Sequence, residues 1–161
     1  MNDFTHDSQS MQQHFVLVPL MAQGHIIPMI DLAHLLASHG ALVTFVTTPL
    51  NARRIESVIQ HAKESQLPIE FLPIPCNYAK AGLPEGSESV DTLRQAMAGM
   101  TKLQMVVINF LISYLREHET PPSCVISDLS QPWTGEVARE FGIPRLGFLG
   151  ISAFSSLCKY S

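Results

Sequence analysis

From His14 onward, apolar residues arrive in short runs separated by polar or glycine-containing breaks. HFVLVPL (14–20) is rich in branched and aromatic side chains and predicts a buried strand. MAQGH (21–25) reads as a turn, and IIPMIDLAHLLASHG (26–40) as a helix closed by Gly40 in a left-handed cap. ALVTFVTT (41–48) predicts a second strand, residues 51–65 a helix, and IEFLPIP (69–75) a third strand. These strands are apolar runs rather than alternations. Parallel strands covered by helices on both faces have that pattern, with right-handed crossovers between them.

CNYAKAGLPEGSES (76–89) is punctuated by Gly, Pro and Ser and predicts a long loop, the length of one that lines a functional rim. Residues 91–118 form the longest helical segment, with Leu93, Met97, Met100, Leu103, Val107, Phe110 and Tyr114 on one stripe. Met97, Met100 and Met105 are expected there as core filler. Pro121 and Pro122 stop that helix, CVISD (124–128) predicts a fourth strand, TGEVAREFG (134–142) a helix with an incomplete capping box, and IPRLGFLG (143–150) a fifth strand. ISAFSSLCKYS (151–161) begins another apolar, helix-like segment and stops, so the chain is expected to be either a fragment or a truncated gene product. Residues 1–13 are expected to be a flexible tail.

Hydrophobic residues make up 46% of the 161 and charged residues 15%, which suits one domain with a true core and excludes a disordered chain. A formal charge of −4 offers nothing to attract nucleic acid or an anionic membrane. No run is long enough to span a bilayer and the N-terminus has no signal-peptide pattern, so a cytoplasmic location is expected. Cys76, Cys124 and Cys158 are scattered and odd in number, and are expected as reduced thiols.

In an open parallel sheet, ligands bind beyond the carboxyl ends of the strands where strand order reverses. The loops after the first and fourth strands carry His25 and Asp128. His25 is expected at a helix N-terminus, where the positive end of the dipole disfavours the imidazolium, with Pro28 in the first turn and Gly24 allowing a tight turn and close approach. A carboxylate beside a histidine fixes its tautomer and stabilises the imidazolium once a proton is taken. The pair therefore suggests a His–Asp dyad that deprotonates a hydroxyl. Read alone, His25 also fits a capping histidine and Asp128 an ordinary N-cap. No G-x-S-x-G elbow accompanies them, which lowers the case for a hydrolase. No G-x-G-x-x-G, Walker A or H-E-x-x-H pattern occurs, so no nucleotide cofactor and no metal are expected. His34 and His39 read as a partly exposed pair, His61 and His118 as surface residues, and Trp133 as either a plug at the helix–sheet junction or a pocket wall.

The stretch HFVLVPLMAQGHIIPMIDLAHLLASHGALVTFVTTPLN resembles the opening of plant family 1 UDP-dependent glycosyltransferases. AGLPEGSESVD, SDLSQPWTGEVAREFGIPR and FLGISAFSSLC agree with it in order and spacing, so the resemblance runs from His14 to the last residue. It implies the Rossmann-like N-terminal domain of a GT-B fold, incomplete, with residues 14–161 as a partial acceptor-binding domain and the donor-binding domain absent. It implies an inverting transfer of glucose from UDP-glucose to a hydroxyl of a small plant metabolite such as a flavonoid or triterpenoid. His25 then matches the catalytic base and Asp128 its partner, while Gly24, Trp133, Phe148 and Ser152 fall on the acceptor side. UDP-sugar is implied as a co-substrate whose main site lies outside this sequence, so the isolated chain is expected to be inactive. Two other readings stay open: a non-catalytic small-molecule-binding or interaction module, and an unrelated flavodoxin-like domain, which the missing phosphate loop disfavours.

Overall fold

The computed structural model describes residues 12–75, 77–90 and 97–150. Five strands, β1 (His14–Val18), β2 (Leu42–Thr47), β3 (Ile69–Pro73), β4 (Cys124–Asp128) and β5 (Arg145–Phe148), form one parallel sheet in the order β3-β2-β1-β4-β5. The helices are α1 (Gln23–Ser38), α2 (Pro49–Arg54), α3 (Glu56–Glu64), α4 (Tyr78–Ala81), α5 (Met97–Glu117) and α6 (Trp133–Glu140). The expected α/β, Rossmann-like sheet flanked by helices is what the chain forms.

Side-chain alternation divides the core in two. Val16, Val18, Val46 and Val125 meet Leu103, Val107 and Leu111 of α5 and Val137 and Ala138 of α6. Leu17, Val43, Phe45 and Ile126 point the other way, onto Ile26, Met29, Ile30 and Ala33 of α1. Both sheet faces are thus apolar, which is why the strands read as runs. Strand order reverses between β1 and β4, so the crevice lies at their carboxyl ends.

Several boundaries differ from expectation. α1 starts at Gln23, so MAQGH is not a free turn and Pro28 stands inside the helix rather than in its first turn. Gly40 does cap its end, at φ 84°. The helix expected over 51–65 is two: Thr48 accepts from the Asn51 amide and Pro49 opens α2, while Ile55, at φ −108° and ψ 20°, separates it from α3. α6 begins at Trp133, with Pro132 at its N-cap position. Within the expected loop, α4 adds one turn capped by Asn77, and Ser87, Glu88 and Ser89 are buried. Their burial has polar causes. The Ser89 hydroxyl and the Val90 amide donate to the Met21 carbonyl, and the Glu88 carbonyl accepts from Thr48 and Asn51. The Glu88 carboxylate accepts from the Leu50 amide at the start of α2. The segment is a strap across the loops after β1 and β2 rather than a solvated connection.

The methionine expectation fails at two positions: Met100 and Met105 are exposed. The buried stripe of α5 runs through Leu103, Val107, Leu111, Tyr114 and Leu115, and Met105 falls off it. Cys124 is a buried free thiol, while Cys76, Cys158, Leu93, residues 1–11 of the expected tail and the segment 151–161 lie outside the described residues. Gln13 belongs with the sheet, since its carbonyl accepts from the Leu42 amide at 2.8 Å.

Candidate active site

β1 and β4 lie side by side in register, Val18 against Ser127, so the loops leaving them share one crevice. α1 rises from the first loop after Ala22, which provides no side-chain cap, and His25 stands in its first turn. Asp128 ends β4 and is buried. The two meet: His25 Nδ1 and Asp128 Oδ2 are 2.6 Å apart.

A carboxylate only accepts, so Nδ1 carries the proton and donates it, and Nε2 is left with its lone pair. Among the described residues no hydrogen bond reaches Nε2, and 32% of the His25 side chain is exposed against 5% for Asp128. One ring nitrogen is therefore held and the other is available to a solute. Burial pushes the Asp128 carboxyl up, but hydrogen bonds from Ser130 and His25 outweigh it and hold the group below its ordinary value. The dyad partner is a carboxylate at neutral pH.

Gly24 is in ordinary helical backbone, so it makes no tight turn, and a side chain there would meet open space. Pro28 has no N–H, so the Gly24 carbonyl loses the donor that residue 28 supplies in an unbroken helix. Asp128 is not an N-cap, because α6 begins five residues later without a side-chain cap. Phe148 is the β5 partner of Asp128 in the register and packs against the α1 side of the core. Trp133 packs against the α5–α6 core, the plug reading, and its Nε1 is buried without a partner among the described residues. Ser152 lies outside the described residues.

A cavity of about 150 Å³ lies between the loops after β1 and β4 and α5, lined by Leu20, Met21, Val90, Met100, Leu103 and Gln131 among others, and neither His25 nor Asp128 lines it. Ser130 also lines it. Met100, expected in the core, thus faces this end of the molecule. Sequence reasoning also missed Ser130 and Gln131; an Asp followed two residues later by Ser is the signal of a side-chain-closed turn and was available. The other histidines lie elsewhere. His34 lines a separate cavity with Asn51 and Arg54, and His14 and His118 stand at the opposite end of the sheet. Among the described residues no group of three or more His, Cys, Asp or Glu could hold a metal ion, and no helix is long and apolar enough to cross a membrane.

No family model matches the chain. Among curated proteins it is 44% identical over 149 residues to UDP-glycosyltransferase 73C4 of Arabidopsis thaliana, covering 91% of this chain and 30% of that protein. It is 45% identical over 151 residues to UDP-glycosyltransferase 73E1 of Stevia rebaudiana, covering 90% and 30%. Among solved structures it superposes on Glycyrrhiza uralensis UGT73P12 complexed with glycyrrhetinic acid 3-O-monoglucuronide with a TM-score of 0.75, at 30% identity, covering 90% of this chain and 29% of that one. The chain therefore spans under a third of the length of these relatives.

Proposed function

The chain belongs to family 1 of the UDP-dependent glycosyltransferases, and from that premise we propose that it forms the acceptor side and supplies the general base of an inverting glucosyltransferase. The acceptor is a small hydroxylated plant metabolite of the flavonoid or triterpenoid kind, and the donor is UDP-glucose. One observation carries the reading: a histidine held through Nδ1 by a buried carboxylate at the strand-order switch, with Nε2 open to the crevice.

The chemistry follows from that geometry. Nε2 takes the proton of the acceptor hydroxyl as its oxygen forms a bond to the anomeric carbon. The bond from that carbon to the diphosphate oxygen breaks on the opposite face and UDP leaves, so the anomeric configuration inverts. Asp128 stabilises the imidazolium while the proton is on the ring. The uridine and diphosphate are held by parts of the full-length enzyme outside this sequence, which is where the departing charge is stabilised.

The small cavity beside Ser130 is well under the roughly 300–1,000 Å³ of ordinary small-molecule sites, so it receives one apolar end of the acceptor. Gly24 leaves room for the reacting hydroxyl and Phe148 flanks the dyad from β5, while Trp133 and Ser152 are assigned to the acceptor side by the family match alone.

His25→Ala in a full-length enzyme carrying this segment tests the reading. With UDP-glucose and a flavonol or triterpenol, turnover is expected to fall on the order of 10²–10⁴-fold, the usual contribution of a general base. Turnover close to that of the parent enzyme would remove His25 from the role.

A further inference from the structure

The two oxygens of Asp128 are used differently. Oδ2 accepts from His25 Nδ1 at 2.6 Å. Oδ1 accepts twice from Ser130, from the amide at 2.8 Å and from the hydroxyl at 2.5 Å. A carboxylate torsion is broad and roughly two-fold, so a carboxylate bonded at one oxygen alone is free to rock about its stem. Bonds to both oxygens fix its plane. The next residue fastens the loop itself. Gln131 is buried, its side-chain amide donates to the Pro19 carbonyl at 2.6 Å, and its backbone amide donates to the Asp128 carbonyl at 3.0 Å. The loops carrying the two halves of the dyad are thus tied to each other through Gln131.

We propose that Ser130 is a positioning residue of the proton transfer: its hydroxyl holds the Asp128 carboxylate with Oδ2 on His25 Nδ1, and so fixes the tautomer and aim of the base. This rests on the general-base reading above. The hydroxyl donates to an oxygen that His25 does not use, so Ser130 acts on the histidine only through Asp128. Ser130 itself is exposed, so its replacement leaves the core untouched. It also lines the small cavity, which gives a rival role as an acceptor contact. The two roles differ kinetically. A positioning residue lowers kcat, whereas a contact made equally to bound substrate and transition state raises KM alone.

The test uses a full-length enzyme carrying this segment and single-turnover measurements with enzyme in excess, which reach slow rates. Ser130→Ala, which removes the shorter hydroxyl bond and leaves Oδ1 the backbone amide alone, is expected to lower the chemical rate about tenfold, with acceptor KM changed by less than about twofold. Ser130→Thr, which keeps the hydroxyl, is expected to restore most of the rate. In an Asp128→Asn background Ser130→Ala is expected to add nothing, because the carboxylate it orients is gone. An unchanged rate in Ser130→Ala, a rise in KM alone, or the same tenfold loss in the Asp128→Asn background would each overturn the proposal. His25→Ala measured alongside separates the failures. Collapse of that variant with Ser130→Ala at full rate rejects the positioning role alone, and survival of it rejects the general base.

Discussion

The sheet carries a histidine in a hydrogen-bonded cluster at each end, and the two clusters differ in the partner that holds the ring. At the amino end, His14 Nε2 lies 2.9 Å from the Thr44 hydroxyl, which lies 3.1 Å from the Tyr114 hydroxyl. The His118 ring sits 4.0 Å from that of Tyr114 and 6.5 Å from that of His14. At the carboxyl end, His25 faces a carboxylate and keeps its far nitrogen open. His14 uses its Nε2 in a bond to the Thr44 hydroxyl, and among the described residues no carboxylate hydrogen-bonds its ring. Burial and the neighbouring His118 lower the pKa of His14, with Glu70 pulling the other way. On the proposed reading, what separates the two histidines is the partner each has and the nitrogen that partner leaves free.

The largest separation between the two ends is expected when their partners are removed. Asp128→Asn in a full-length enzyme carrying this segment should lower turnover on the order of 10²-fold or more, because the imidazolium loses its counter-charge. Thr44→Val should leave turnover within about twofold and instead cost about 1–3 kcal/mol of stability, since the His14 and Tyr114 polar atoms lose a buried partner. Steady-state rates and denaturant melts on the two variants measure both halves. A rate loss in Thr44→Val as large as in Asp128→Asn would erase the distinction.

A smaller effect separates the two ends in pH. Burial, with His118, lowers the folded pKa of His14 from 6.5, so the unfolded chain takes up the proton first. Its contribution is complete above pH 6.5 and is lost as pH falls through the folded value. Asp128 is also lowered, from 3.8, so its contribution is present above 3.8 and is lost only as pH falls below that through the folded value. Melting the protein across pH should show a loss beginning near neutrality that His14→Asn removes, and a second, more acidic loss that Asp128→Asn removes. A near-neutral loss unchanged in His14→Asn would contradict the assignment.

These two ends were unequally legible in the sequence. His25 and Asp128 could be paired from the chain alone because each follows a short apolar run, and parallel topology sends the carboxyl ends of β1 and β4 to one crevice. The Thr44–Tyr114 bond joins residues 70 apart, one on a strand and one on a helix, and no local pattern encodes it. The strap at 87–90 was hidden by its composition. Gly, Pro, Ser and Glu look solvated, yet here their polar atoms supply partners that the loops after β1 and β2 lack. On α5, periodicity selects a face but not how deeply each residue on it is covered, so Met100 is exposed and lines the small cavity beside Ser130 instead of filling the core. Ser130 belongs to a finer level, since its role depends on which carboxylate oxygen it meets.

Asp128 holds His25 with its proton on Nδ1 and its lone pair on Nε2, and nitrogen-15 shifts of the imidazole rings read both nitrogens at once. In a full-length enzyme carrying this segment, at a pH where His25 is neutral, its Nδ1 is expected to resonate as a protonated nitrogen and its Nε2 as an unprotonated one, with this preference weakened in Asp128→Asn. A His25 protonated on Nε2, or a tautomer ratio indifferent to Asp128, would contradict the assignment of His25 as the base.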